Sequence, residues 1–300
     1  MLRRTVLAAV VAISLALPAA LQTTIAQEGT SPMPTPSKSG YAPVNGVEIY
    51  YEIFGTGKPL VLLHGGLEAI EGFAPILPRF AEGREVIAVD LQGHGRTLPF
   101  DRPMTWPNLA NDIAALIRYL GHDKADILGY SLGGLVALRT TLDHPELVDR
   151  LVLVSIPYAF VGWHDYNQQG MRSMTGAIAE DMKQTPMYAR YEKLSPDPSL
   201  WSKTLDQTGA LVGGDFDWSA EIPAIKSPTL LIYGDYDSVR TSHAAKFFEL
   251  LGGGQADGGW QGEGMTPNRL AILQGTVHYH MYGETRMAEE AIRFLDAPAK

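Results

Sequence analysis

One serine of the chain lies where its hydroxyl could act as a nucleophile. Ser131 belongs to the segment Gly-Tyr-Ser-Leu-Gly-Gly, residues 129–134, which joins the apolar run 125–128 to a helical pattern that begins at once. A strand that turns into a helix within three residues imposes strained backbone angles on the serine, and glycines on both sides avoid clashes. The hydroxyl is then held above the sheet edge, where the N–H groups and positive dipole of the following helix also point. The pattern predicts a nucleophile; an ordinary strand–helix turn is the alternative.

A serine hydroxyl needs a base to react at neutral pH, and the chain has eight histidines. His278 and His280 follow the last apolar run, residues 269–275, at the carboxyl edge of the predicted sheet, where open α/β sheets place their sites. His278 lies nearer the strand end, so we favour it as the base and keep His280 as the alternative. The other histidines are expected to bond backbone groups in glycine turns (His64, His94), to cap helices (His122, His144), to lie exposed on a helix (His243) or to face a pocket (His164).

The base in turn needs a carboxylate that holds its tautomer and stabilises the imidazolium ion. Asp235 and Asp237 follow the apolar run 229–233, so both are expected at the same edge of the sheet. We favour Asp237 and keep Asp235 as the alternative. If neither has a catalytic role, both are only solvent-exposed polar residues of a turn. The run 151–154 is followed by Ser-Ile-Pro at residues 155–157, so no acid is available after that strand. The order serine, aspartate, histidine is the one expected when the nucleophile lies on a strand–helix bend.

Acyl transfer also requires hydrogen-bond donors for the oxyanion that develops on the substrate carbonyl, each worth roughly a hundredfold to a thousandfold in rate. The amide of Leu132 is fixed by the bend that holds the serine. The second donor is expected in the segment His-Gly-Gly-Leu, residues 64–67, where glycine lets the backbone approach a substrate. We predict the amide of Gly66, with that of Leu67 as the alternative.

Short apolar runs alternate with amphipathic helical patterns along most of the chain. Continuous apolar runs are typical of strands covered on both faces, as in a parallel sheet. Asn45-Gly46 predicts a β-hairpin ahead of these strands. The helical pattern over residues 105–121 places five aliphatic side chains on one face: Leu109, Ile113, Leu116, Ile117 and Leu120. The alternation predicts an α/β fold with a doubly wound, mostly parallel sheet.

The ends of the chain and one long interval do not follow this alternation. Two arginines, an apolar run over residues 5–17 and small residues beyond it predict a secretory signal peptide over residues 1–26, and the run is too short to span a bilayer comfortably. Residues 27–40 alternate proline with small polar residues and are expected to be a flexible linker. The remainder is expected to form a core with a helical cap inserted in it: core 41–157 and 222–297, cap 158–221.

Two segments inside these regions have distinct patterns. In the cap, Met171, Met174, Ile178 and Met182 share one face of a predicted helix. Residues 252–264 are rich in glycine and are expected to form a long surface loop.

Composition excludes several classes of function. The chain has no cysteine, so disulfides, a thiol nucleophile and thiolate metal sites are excluded. Its formal net charge is −9 and no basic run is present, which makes nucleic acid and anionic lipid poor partners. With a signal peptide, we expect a periplasmic or secreted protein that keeps no stable membrane anchor after cleavage.

These motifs together resemble the α/β-hydrolase superfamily, and within it the serine hydrolases of esterase and lactonase type that carry a small helical cap. The segments that carry the resemblance are LVLLHGG, DLQGHGRT, GYSLGG, LLIYGDYD and QGTVH, in that order, and it covers residues 44–297. The resemblance implies a helical lid at the position of the cap and an architectural role for the Gly-His-Gly turn at residues 93–95. Thr97 stands where the family usually has serine.

Several branches of the family differ from this chain. Haloalkane dehalogenases and epoxide hydrolases of this fold use an aspartate nucleophile, where this chain has Ser131. Proline iminopeptidases usually have a tryptophan after the nucleophile, where this chain has Leu132. Carbon–carbon bond hydrolases and cofactor-free perhydrolases keep a serine triad, so both remain alternatives.

The resemblance and the candidate residues lead to one expected function and two alternatives. We expect an exported serine hydrolase that cleaves a small, partly apolar carboxylic ester or lactone through Ser131, His278 and Asp237, with no metal or organic cofactor. Carbon–carbon cleavage or perhydrolysis by the same residues is the first alternative. A non-catalytic small-molecule binder of the same fold is the second.

Overall fold

An eight-stranded sheet forms the centre of the fold in the computed structural model, which describes residues 33–298. The strands lie in the order β1-β2-β4-β3-β5-β6-β7-β8, and all neighbouring pairs from β4 to β8 are parallel. The strand bounds are β1 Lys38–Val44, β2 Val47–Phe54, β3 Lys58–Leu63, β4 Arg84–Val89, β5 Ala125–Tyr130, β6 Val148–Val154, β7 Thr229–Tyr236 and β8 Arg269–Val277. The predicted α/β class with a mostly parallel sheet is confirmed. The predicted signal peptide, residues 1–26, lies outside the described residues.

The first two strands form the predicted hairpin. Asn45 and Gly46 have φ angles of 50° and 79°, the positive values that a two-residue hairpin turn of type I′ requires. β1 nevertheless begins at Lys38, inside the segment 27–40 for which the composition predicted a flexible linker. Lys38 pairs with Ile53 of β2 through the backbone. An edge strand needs this backbone pairing but few apolar side chains, so composition placed the start of the sheet too late.

Helices cover both faces of the sheet. Their bounds are α1 Leu77–Ala81, α2 Trp106–Tyr119, α3 Leu132–Asp143, α4 Asp165–Ser173, α5 Ala179–Met182, α6 Pro186–Leu194, α7 Trp201–Val212, α8 Thr241–Leu250 and α9 Thr285–Leu295. α2 begins after Thr105, whose side chain accepts a hydrogen bond from the Asn108 amide and so satisfies one of the free N–H groups of the first turn. Its predicted apolar face is buried against the core, with Leu120 only partly buried.

The helices α4 to α7 lie between β6 and β7, in the interval for which the sequence predicted a cap. The single helix predicted through Met171 and Met182 is wrong, because α4 ends at Ser173 and α5 begins at Ala179. At the break, Gly176 lies against α7: its amide donates to the Asp206 carboxylate, and a Cβ there would be 2.8 Å from the Ser202 carbonyl oxygen. The backbone amide at this point therefore bonds to α7, and α4 does not continue into α5.

The glycine-rich segment 252–264 joins α8 to β8 without helix or strand, as predicted. Its Trp260 side chain is fully exposed. No helix within residues 33–298 has the length and apolar character needed to cross a bilayer.

Candidate active site

Ser131 occupies the sharp bend that its glycine neighbours predict. It lies between β5 and α3 with φ 52° and ψ −119°, a strained conformation for a residue with a side chain. A Cβ on Gly133 would be 2.5 Å from the Leu63 carbonyl carbon, and one on Gly129 would be 2.6 Å from the Gly134 Cα. Only glycine at these two positions lets α3 begin so close to β3 and β5. The bend leaves the Ser131 side chain partly exposed above the carboxyl edge of the sheet.

The structure brings the three favoured residues together. His278, which follows β8, places Nε2 3.1 Å from Ser131 Oγ and Nδ1 2.9 Å from Asp237 Oδ1. Because Nδ1–H donates to the carboxylate, Nε2 is left to accept the Ser131 proton. The alternatives lie elsewhere: His280 is exposed, and Asp235 is exposed and accepts a hydrogen bond from the Thr276 amide, which joins β7 to β8.

Asp237 is buried and accepts four hydrogen bonds. Besides His278, the donors are the Val239 amide on Oδ1, at 3.2 Å, and the Gly234 amide and Ser155 hydroxyl on Oδ2, at 3.1 and 2.5 Å. Burial raises the pKa of Asp237, but the hydrogen bond and charge of His278, then the Ser155 and Gly234 bonds, outweigh burial and hold the pKa below its ordinary value. The carboxylate is therefore ionised and ready to stabilise an imidazolium ion.

Aromatic side chains hold the His278 ring from several sides. The Tyr130 hydroxyl donates to the His278 backbone carbonyl at 2.9 Å, and the two rings lie 5.3 Å apart. The Trp163 ring lies nearly perpendicular to the imidazole, at a centroid distance of 5.6 Å. His278 is only 7% exposed, so these contacts restrict its ring and keep most water away from the proton path.

The segment predicted to supply the second oxyanion donor lies beside the bend. A Cβ on Gly66 would be 3.6 Å from the Leu132 side chain, so these two residues are neighbours across the site. His64 anchors the segment: its Nδ1 bonds the Gly65 carbonyl at 2.7 Å, and its Nε2 accepts from the Leu91 amide at 3.0 Å. Burial, and then the nearby His94, lower the pKa of His64 to about 3, so the ring stays neutral.

The cap packs directly on this segment. Leu67 has a φ of 57°, unusual for leucine, and its side chain is buried in a cap cluster that includes Met182, Tyr191 and Trp201. The next residue, Glu68, forms an ion pair with Arg190 of α6. The cap thus fixes the backbone that follows Gly66. Neither this packing nor the Ser155 contact was predicted, because apolar and hydroxyl side chains in a single sequence do not reveal their tertiary partners.

The remaining histidines have roles outside this cluster. His94 bonds the Gln92 carbonyl and His64 bonds backbone groups, as predicted for glycine turns. The helical pattern predicted an exposed His243, and this prediction is wrong. The side chain is partly buried, and its ring stacks on Tyr158 at a centroid distance of 3.9 Å. Within residues 33–298, no three histidine or carboxylate side chains are grouped so that they could hold a metal ion.

Comparisons to known proteins agree with the fold. The family model described as alpha/beta hydrolase fold matches residues 58–185. An AB hydrolase superfamily protein of Bacillus subtilis (strain 168), YisY, is 30% identical over 224 residues, which are 67% of this chain and 82% of that protein. The chain therefore belongs to the α/β-hydrolase superfamily.

One further relative is similar over part of the chain, and one solved structure has the same fold. The soluble epoxide hydrolase of Corynebacterium sp. (strain C12) is 36% identical over 118 residues, 38% of this chain and 40% of that protein. The crystal structure of the carboxylesterase CesB (YbfK) from Bacillus subtilis has a TM-score of 0.67 at 20% identity, covering 89% of this chain and 94% of its own. The chain thus spans about two fifths of the length of the first curated relatives it matches.

Proposed function

We propose that this protein is a serine hydrolase that cleaves a small carboxylic ester or lactone through an acyl-enzyme. The observation that carries the proposal is the continuous hydrogen-bonded path from Ser131 Oγ through both nitrogens of His278 to Asp237. This arrangement lets a hydroxyl lose its proton as it attacks a carbonyl carbon. An epoxide hydrolase mechanism is disfavoured, because the family branch that uses it has an aspartate where this chain has Ser131.

Each half of the reaction uses the same side chains. Ser131 Oγ bonds to the carbonyl carbon while its proton passes to His278 Nε2, and the resulting imidazolium ion is stabilised by Asp237. The negative charge moves to the carbonyl oxygen, where the amides of Leu132 and Gly66 can donate to it. His278 then gives its proton to the departing alcohol, which leaves an acyl group on Ser131. Water attacks this ester with His278 again as base, and the acid is released.

The cap supports an apolar part of the substrate. The cap cluster beside the oxyanion segment consists of aliphatic, thioether and aromatic side chains: Leu67, Ala179, Met182, Tyr191, Trp201 and Leu205. α4 has no buried residue, so this cap helix adds little to the core and can move to admit a substrate. These side chains pack on one another, but the apolar character of the cap beside the oxyanion segment favours a substrate with an apolar acyl or alcohol group next to the reacting carbonyl.

The test is a panel of p-nitrophenyl esters and lactones of graded size. We expect turnover of at least one member, a loss of about a millionfold in kcat in Ser131→Ala, and a similar loss in His278→Ala. His280→Ala is the matched control, because this neighbouring histidine lies outside the triad, and its activity should stay within twofold of the wild type. A fall of less than tenfold in Ser131→Ala would exclude Ser131 as the nucleophile. A protein inert to the whole panel but labelled on Ser131 by a fluorophosphonate would favour carbon–carbon cleavage or perhydrolysis, and absence of labelling would favour a binder.

We also propose that the protein acts in the periplasm or outside the cell, after removal of residues 1–26. The support is the pattern of two arginines, a short apolar run and small residues at the start of the chain. N-terminal sequencing of the protein recovered from the producing cell tests this, with Gln27 expected as the first residue. A protein that keeps Met1 and remains with the cytoplasmic fraction would contradict it.

A further inference from the structure

Ser155 lies at the end of β6, between the strands that carry the nucleophile and the acid, in a conformation that serine rarely adopts. It is completely buried and has a φ of 57°, in the left-handed region. A buried residue with a side chain is held in this region only when its surroundings impose it, and such strain is concentrated at functional sites.

Two successive residues at this strand end contact both the nucleophile and the acid. The Val154 carbonyl accepts the Ser131 amide at 2.9 Å, and the Ser155 amide donates to the Ile232 carbonyl of β7 at 2.9 Å. The Ser155 hydroxyl then donates to Asp237 Oδ2 at 2.5 Å. The end of β6 is thereby bonded to the bend that carries Ser131 on one side and to the carboxylate on the other.

The Ser155 bond differs from the other bonds that hold Asp237. The Gly234 and Val239 amides come from the same turn as Asp237, within three residues of it, so they move with the carboxylate. Ser155 is 82 residues away in the sequence and belongs to the neighbouring strand. Besides His278 itself, it is the hydrogen-bond partner that ties the carboxylate to a different element of the described structure.

We propose that Ser155 is a positioning residue of the triad, whose hydroxyl holds Oδ2 of Asp237 against the end of β6 so that Oδ1 stays on His278 Nδ1. This inference rests on the proposed function, because it assigns Ser155 to the same reaction. Ser155 does not touch the reacting atoms; it acts through Asp237. The position after β6, which offers no acid in this chain, thus still contributes to the site through a hydroxyl.

The test uses Ser155→Ala and Ser155→Gly, which both lack the hydroxyl but differ in backbone strain. Loss of one hydrogen bond to a charged group is expected to lower kcat about tenfold in both variants, with KM within about twofold. The acidic limb of the kcat/KM profile should move to lower pH by about half a unit, because a carboxylate that is no longer held on Nδ1 stabilises the imidazolium ion less strongly. Ser155→Gly should be the more stable variant, because glycine adopts positive φ without strain.

Two further variants separate positioning from a structural role. Ser155→Thr keeps a hydroxyl and should recover kcat to within about threefold of the wild type, with the acidic limb restored, although its β-branched side chain should lower the free energy of unfolding at a positive φ. Ser227→Ala is the matched control: Ser227 is a buried serine whose hydroxyl donates to the Val148 carbonyl at the other end of β6, so its loss should lower stability without changing kcat or the acidic limb.

Wild-type kcat and an unmoved acidic limb in both Ser155→Ala and Ser155→Gly, with only the free energy of unfolding changed, would overturn the positioning role. Ser131→Ala measured in the same assay separates the two proposals. If Ser131→Ala is inert while the Ser155 variants are fully active, only the role of Ser155 fails. If Ser131→Ala remains active, the proposed function fails, and the role of Ser155 fails with it.

Discussion

Gly133→Ala is expected to separate the two parts of the site that the bend holds together. The added Cβ would lie 2.5 Å from the Leu63 carbonyl carbon, whereas ordinary van der Waals contact begins at 3.4 Å, so α3 and the end of β3 must move apart by about 1 Å. α3 carries Ser131 and the Leu132 amide, while β3 leads into the segment of Gly66. The substitution therefore moves the nucleophile and one oxyanion donor away from the other donor.

A displacement of this size is expected to lower kcat about a hundredfold, and overpacking should lower the free energy of unfolding by about 1–3 kcal/mol. Steady-state kinetics on the preferred ester and urea denaturation measure the two effects. Gly170→Ala is the control, since it makes the same change in α4 where a Cβ would meet nothing within 4 Å, and it should keep full activity. A folded Gly133→Ala protein with more than half of the wild-type kcat would refute the close approach of α3 to β3.

Three other substitutions test two parts of the site and one buried histidine outside it. Asp237→Asn should lower kcat about ten-thousandfold, because an amide cannot stabilise the imidazolium ion; a loss below tenfold, measured by steady-state kinetics, would argue against the acid. Leu67→Ala should lower the free energy of unfolding by about 2–4 kcal/mol and lower kcat more than it raises KM, because the oxyanion segment loses its cap packing; unchanged kcat would contradict this. Burial lowers the pKa of His94 from 6.5 to about 4. Below pH 6.5 the unfolded chain therefore binds a proton that the native state does not, so the free energy of unfolding decreases as the pH is lowered. Between pH 7 and 5 the wild type should therefore lose about 2 kcal/mol more than His94→Gln in urea denaturation, and equal losses would refute a neutral, buried His94.

The sequence predicted those features that depend on local chemistry. Glycines around Ser131 indicated the bend, because few residue types other than glycine fit beside a residue at which a strand turns directly into a helix. The apolar runs that end before Asp237 and His278 placed both side chains at one edge of the sheet. Asn45-Gly46 predicted the first turn for the same local reason.

Features that depend on tertiary contacts were not predicted. The strand of Lys38 is held by backbone pairing that polar side chains do not signal, and the helix break near Gly176 arises from contact with α7. The Ser155 contact needs a residue 82 positions away, and the stacking of His243 on Tyr158 joins α8 to the start of the cap. A periodic pattern describes one element at a time, so such partners appear only when the elements are assembled.

The hydroxyl oxygen of Ser131 becomes reactive, in the proposed mechanism, because of the imidazole of His278 and the carboxylate of Asp237 beside it. Labelling of the native protein with a fluorophosphonate, followed by peptide mass spectrometry, tests this most directly. We expect one adduct, on the peptide that contains Ser131, which is absent from Ser131→Ala, forms much more slowly in His278→Ala and is unchanged in His280→Ala. An unlabelled Ser131 in folded protein, or equal labelling rates in wild type and His278→Ala, would contradict it.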